Sequence, residues 1–260
     1  MQIRRNTLFV CLLLAASACF GQQTETPLTS VALFKVTPDK MAAFMDVMKL
    51  FTPELDKLLA AGTIRGYGVD SDIVHTGEPN VAFWISSSNF TTLAESEKAV
   101  QSVIRGNPDK MKTAWGLSDF AAHRDLIVRS VESNYGRVPE GALPVSDFDA
   151  RKIKPGKSSS VLMMFRHFDK PILDKLVADG VIYGYSLDVE AVHTMEPGMS
   201  WFITVLPSLG AKDKVRAAYN AAFEKLSASE RDAMQKMEDD MFVPGSHRDS
   251  LSEALIFRTK

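Results

Sequence analysis

One unit is written twice in this chain. "GTIRGYGVDSDIVHTGEP" begins at Gly62 and "GVIYGYSLDVEAVHTMEP" at Gly180, and ten of the eighteen aligned positions are identical. The likeness is collinear well beyond that stretch. "VALFKVTPDK" (31–40) aligns with "FDARKIKPGK" (148–157) at an offset of 117, and "TPELDKLLAAG" with "KPILDKLVADG" at 118. "NVAFWIS" then falls against "GMSWFIT", which sets Phe83 opposite Trp201 and Trp84 opposite Phe202; "AHRD" (122–125) matches "SHRD" (246–249). A repeat of this length is a complete folding unit, so it limits the architecture more than any composition could.

Each copy reads as β-α-β-β-α-β. "VALFKV" is rich in β-branched and aromatic residues, as strands are, and Thr37-Pro38 opens a helix with proline in its first turn. Met41, Phe44, Met45, Met48, Leu55 and Leu58 recur at helical spacing, with Pro53 (Pro171 in the second copy) marking a break. Gly62 ends the helix, "TIRGYGVD" is the second strand and "VAFWIS" the third. Leu93, Val100, Val103 and Ile104 mark the second helical region, and "HRDLIVRS" the last strand. The first repeat is placed at 27–133, a Pro- and Gly-containing linker at 134–145 and the second repeat at 146–260. Two helices over a four-stranded antiparallel sheet make a ferredoxin-like unit, an α+β arrangement with one sheet face left open. The second copy is the natural cover for that face, so the two repeats are expected to pack sheet to sheet as an α/β barrel within one chain. On strand two, Gly66 and Gly68 are expected to face the helices, with Arg65, Tyr67 and Val69 on the barrel side.

Residues 1–21 stand apart. Arg4 and Arg5 precede "LFVCLLLAASA" (8–18), an apolar run too short to span a bilayer, and "ASA" (16–18) is a signal-peptidase pattern. The segment reads as a signal peptide, with the mature chain exported to a periplasmic or extracellular space. "AASAC" approximates a lipobox, so a lipid anchor at Cys19 is a second route to the same compartment. Cys11 is the only other cysteine and lies in the leader, which leaves at most one thiol and excludes an internal disulfide in the mature chain. Loss of Arg4 and Arg5 takes the formal charge from −2 to −4, and no basic stripe is present, so no nucleic-acid partner is expected. No spanning membrane segment is expected in the mature protein, and no cofactor is assigned.

The strand, the "KVTPDK" and "KIKPGK" turns, the amphipathic helix and "AAGTIRGYGV" together resemble the dimeric α/β-barrel superfamily, here in a tandem, fused form. That superfamily includes cofactor-independent monooxygenases, haem-associated enzymes such as chlorite dismutases, and barrels of unassigned activity. The resemblance implies architecture and no particular reaction. The Asn and Trp of the monooxygenase branch have no match in both copies: Asn80 and Trp84 fall opposite Gly198 and Phe202.

His75, Glu78, His193 and Glu196 are the first candidate site. A histidine beside a carboxylate can bind zinc or iron or move protons, so His75 and His193 are the catalytic candidates and the four together the metal candidates. The plainer reading is a turn, in which Thr and Glu hold backbone amides and Pro79 fixes φ, needed once per copy. Arg65, Tyr67, Tyr183, Tyr185, Trp84 and Trp201 are the ligand-binding candidates, since aromatic walls with few polar groups suit a small organic molecule. The two "HRD" segments read as ion pairs at strand entry, and Met45, Met48, Met163 and Met164 as core. Three functions follow in order: an exported small-organic-ligand-binding barrel, a cofactor-independent oxygenase or isomerase-like enzyme using the barrel histidines, and a structural or interaction protein with a filled barrel.

Overall fold

The computed structural model describes residues 26–73, 79–192 and 197–260. The expected signal peptide, including Cys19, and the candidates His75, Glu78, His193 and Glu196 lie outside the described residues. The first repeat runs β1 (Leu28–Phe34), α1 (Met41–Met48), α2 (Thr52–Ala61), β2 (Ile64–Asp72), β3 (Val81–Ser87), α3 (Phe90–Gly106), α4 (Pro108–Leu117) and β4 (Arg124–Tyr135). The second runs β5 (Val145–Lys152), α5 (Ser158–Met164), α6 (Lys170–Ala178), β6 (Gly184–Val192), β7 (Met199–Leu206), α7 (Ala211–Glu224), α8 (Ala228–Met241) and β8 (Arg248–Thr259). Among the described residues, no helix is long and apolar enough to cross a membrane.

Local chemistry sets the element ends. Gly62 closes α2 at φ +78°, a left-handed conformation in which a side chain would be strained. Asn89 and Thr92 form a reciprocal cap on α3, and Ser227 and Glu230 do the same for α8. At the proline the copies differ. The first repeat breaks between α1 and α2, whereas the second passes from α5 to α6 through a π-helical segment at Phe165–Asp169.

Each repeat forms the expected ferredoxin-like sheet, ordered β4-β1-β3-β2 and β8-β5-β7-β6, with antiparallel neighbours throughout. The sheets then join edge to edge, β2 to β8 and β6 to β4, into one closed eight-stranded barrel. Closure pairs each edge strand of the described sheets with an edge of the other. It also shortens the connection between repeats. Asn134 and Tyr135, at the start of the expected linker, pair with Tyr185 and Gly184 and so extend β4.

Two expectations about faces and register are corrected. Tyr67 and Val69 point outward into the helix-covered core, and Gly66 and Gly68 point into the barrel. The Tyr67 hydroxyl donates to Asp56 on α2 (2.6 Å), and Tyr185 donates to Asp174 on α6 (2.6 Å). An aspartate on the covering helix takes each buried phenol, which decides the face. The third strand slips by one residue between copies. Gly68 pairs with Trp84 while Ser186 pairs with Ile203, so Trp84 is equivalent to Ile203 and Phe83 to Phe202. Both phenylalanines pack outward, Phe83 on Phe51 and Phe202 on Phe165. The cores between helices and barrel wall centre on Phe44, Leu55 and Tyr67 in one repeat, and on Leu173, Tyr185 and Met241 in the other.

Candidate functional site

Among the described residues the arrangement encloses two cavities of note. One, of about 450 Å³, lies outside the barrel wall in the first repeat, between β1, β3 and β4 and the helices α1, α3 and α4. The other, of about 560 Å³, is the barrel interior.

The outer cleft is apolar over most of its wall. Ala32 and Phe34 of β1, Met48 of α1, Val100 and Ile104 of α3 and Ile127 of β4 are among its lining residues. Its polar groups sit near the rim. Ser30 Oγ donates to Glu97 Oε1 (3.1 Å), and His123 lies under Phe34 with ring centroids 4.7 Å apart. His123 Nδ1 is 2.9 Å from the Leu33 carbonyl oxygen, so Nδ1 carries hydrogen and donates. Its Nε2 faces Asp125 Oδ2 at 3.3 Å. The strand-entry pair in this "HRD" is therefore His with Asp, and in the second copy His247 Nε2 likewise meets Asp249 Oδ1 (3.1 Å) while Arg248 donates to the Gly245 carbonyl. Two exposed aromatics, Trp115 and Phe120, meet edge to face at 5.0 Å beside His123. An exposed aromatic pair beside an apolar cleft is a common form of ligand entrance.

The second repeat has the same helix–sheet frame and fills it. Strand registers place Asp147, Asp149 and Arg151 where β1 has Ser30, Ala32 and Phe34. Arg151 donates through Nε and Nη2 to Asp149 (2.8 and 2.9 Å) and through Nη1 to Glu238 on α8, and it lies over the Phe242 ring at 5.2 Å. Lys212 on α7 donates to Asp147 (2.6 Å), and the Tyr219 hydroxyl donates to Asp169 (3.1 Å). Burial pushes the Asp169 carboxyl up to about 6, against the opposing pull of the Tyr219 hydrogen bond and the Arg151 charge. His247, Asp149 and Asp249 bring three ligand atoms within 4.8 Å of one another, the geometry of a divalent-cation site. Arg151 already takes Asp149 in a bidentate pair, so a cation is in place.

In the barrel interior Trp84 lies across Gly68 and Gly66, and its Nε1 donates to Asp70 Oδ2 (2.9 Å). Asp70 and Asp188 are equivalent residues, 7% and 4% exposed, on β2 and β6. Three strands separate β2 from β6 in either direction round the barrel, so the two acids stand on opposite walls. Arg65 is at the barrel mouth and Trp84 in the wall. Tyr67 and Tyr185 are on the helix side. Tyr183 ties backbone groups to Val205 and Gly136 (2.8 Å each), and neither it nor Trp201 lines either cavity. Asp70 and Asp188 went unselected in the sequence although they matched. A charged residue in the middle of a strand, in both copies, was the available signal.

No protein-family model and no curated protein matches the chain. Solved structures do. A suspected monooxygenase from Fusobacterium nucleatum superposes with a TM-score of 0.63 at 10% identity, covering 92% of this chain and 96% of that one. A suspected monooxygenase from Lactobacillus acidophilus gives 0.59 at 13% identity, covering 90% and 97%. The chain has the dimeric α/β-barrel fold, fused into one polypeptide. An anthrone oxidase-like protein shares this barrel at a TM-score of 0.52 and 11% identity, over 91% and 94% of the two chains. At such identities the barrel is what is shared, and the reaction is a separate question.

Proposed function

We propose that the chain is an exported barrel protein that binds a small apolar organic molecule in the helix–sheet cleft of its first repeat. One observation carries this reading. Two copies of the same frame differ at matched wall positions, so that Ala32 and Phe34 leave one cleft open where Asp149 and Arg151 occupy the other. Fold maintenance alone asks for both frames to be filled, because open apolar volume forfeits packing contacts. An apolar aromatic ligand suits the lining. Anthrone, the tricyclic compound named for one structural neighbour, is a suitable probe. Anthrone should quench Trp115 fluorescence with saturation at micromolar concentration, and Ala32→Phe, which fills the wall, should weaken binding by about tenfold or more. Equal binding by the Ala32→Phe variant would place the ligand elsewhere.

A second reading, an enzyme, rests on His123. An imidazole fixed at Nδ1 by a backbone carbonyl offers Nε2 for proton transfer at the rim of an apolar site. Oxygen uptake with anthrone that is lost in His123→Gln while binding persists would favour it. Export rests on the reading of residues 1–21. Expression of the full chain in a bacterial host should yield a product beginning between residues 19 and 22, and retention of Met1 would end that part of the proposal.

A further inference from the structure

The barrel interior is a second, separate cavity. Asp70 Oδ1 and Asp188 Oδ1 are buried, belong to residues that line the cavity, and have no hydrogen-bond partner among the described residues; the Ser130 and Ser186 hydroxyls and the Tyr135 phenol lie beside Asp188. A buried carboxylate oxygen without a partner is costly, and its cost is removed when a donor or a positive charge arrives. Here there are two such carboxylates, on opposite walls of one cavity. The remaining wall supplies faces for a hydrocarbon body. Trp84 and Phe257 meet edge to face at 5.6 Å, and Phe148 lines the cavity from β5. Aromatic faces and carboxylates are the two groups that attract a partly desolvated ammonium ion.

We propose that the barrel interior binds a small organic ammonium ion, its charged group between Asp70 and Asp188 and its apolar body against Trp84, Phe148 and Phe257. The volume, about 560 Å³, is that of an organic ligand rather than of a bare metal ion. Arg65 and Lys260 border the mouth. Arg65 and Asp70 are five residue steps apart, about 16 Å along β2. The field along the cavity therefore runs from positive at the entrance to negative within. It favours a molecule with one ammonium group and a neutral or anionic far end, and it disfavours a diamine. Other titratable groups on these strands are Asp72 and Glu190, each two residues further along from an aspartate, and Tyr135 at the mouth. Tyr135 is half exposed as a residue, but burial of its phenol and the neighbouring Asp188 charge raise that group, so it stays neutral through the working range. Burial also raises Asp70 to about 7 and Asp188 to about 6, which makes ammonium binding release protons near neutrality and weaken on acidification.

Calorimetric titration of the full chain with phenethylamine, and with 2-phenylethanol as its uncharged counterpart, tests the site. The expected result is 1:1 binding of the amine, about tenfold or more tighter than the alcohol, weakening as pH falls from 8 to 5. Asp70→Asn and Asp188→Asn should each weaken the amine by about tenfold or more while the protein stays folded by circular dichroism. Equal binding of amine and alcohol would reduce the site to an apolar pocket and overturn the proposal. So would unchanged amine binding in both asparagine variants, or stabilisation by calcium or magnesium chloride with no response to the amine. The two aspartates act from separate strands, so misfolding of one variant leaves the other as the test.

Discussion

Asp70→Asn is expected to stabilise the ligand-free protein by about 2–4 kcal/mol at pH 8, and Asp188→Asn by somewhat less. Burial raises the Asp70 carboxyl from 3.8 to about 7, with nearby Asp72 adding to the rise and the Trp84 hydrogen bond opposing it; Asp188 rises to about 6. Both folded-state values lie above the unfolded value. The folded state therefore holds more protons between pH 4 and pH 7. The stability due to these groups is present below pH 4 and lost as pH rises through 6 to 7. An asparagine keeps an oxygen for the Trp84 N–H and carries no charge, so it avoids the penalty. Melting curves from pH 5 to 8 should show the wild type losing stability relative to the asparagine variants as pH increases. Asp169, raised to about 6, adds a slope of the same sign to every variant, so the comparison must be made as differences from wild type. Because the acids stand on opposite walls with separate neighbours, the two gains should add within a few tenths of a kcal/mol. A variant that loses stability at pH 8 would mean that the carboxylate holds the barrel together, and the ligand reading of the interior would lose its main support. Gain of stability with loss of amine binding is the pattern expected where a residue is kept for function.

Gly68→Ala should cost about 3 kcal/mol or more. A Cβ at this position would stand 2.5 Å from the Ile256 carbonyl oxygen and 2.7 Å from the Trp84 ring. One obstacle is backbone and the other is an indole hydrogen-bonded to Asp70, so neither moves at small expense. The second repeat makes the comparison internally. Ser186 occupies the equivalent position opposite Ile203, where the first repeat has Gly68 opposite Trp84. Glycine is needed because the tryptophan lies across it. Transplanting both residues, as Gly68→Ser with Trp84→Ile, should therefore recover about 1–2 kcal/mol relative to the sum of the single changes. Strict additivity in denaturant melts would show that the backbone contact with Ile256 dominates and that Trp84 adapts freely.

The repeat, the element order and the pairing of copies within one chain were legible because they depend on local rules. Strand composition, helical spacing, a proline in a first turn and a glycine past a helix end each act over a few residues, and writing them twice made them unmistakable. Alternation along β2 was legible too, as two faces. Which face met the helices was not, because Tyr67 suits either side until Asp56 accepts its hydroxyl from α2. The one-residue slip in the third strand escaped alignment, since Phe83-Trp84 against Trp201-Phe202 looks like a simple exchange of aromatics. Only backbone pairing distinguishes that exchange from a shift. The matched Asp70 and Asp188 were visible as identities, but a carboxylate in a strand is ordinary while water reaches it. Closure of β2 on β8 and β6 on β4 removes the water from both at once. The difference between the clefts, Ala32 and Phe34 against Asp149 and Arg151, was present in the letters, and it became a difference in filling only when Glu238, nearly ninety residues further along the chain, came to meet Arg151. Sequence by itself determined what is set by neighbours along the chain. Faces, desolvation and the filling of space are set by neighbours across it, and those only the tertiary structure decided.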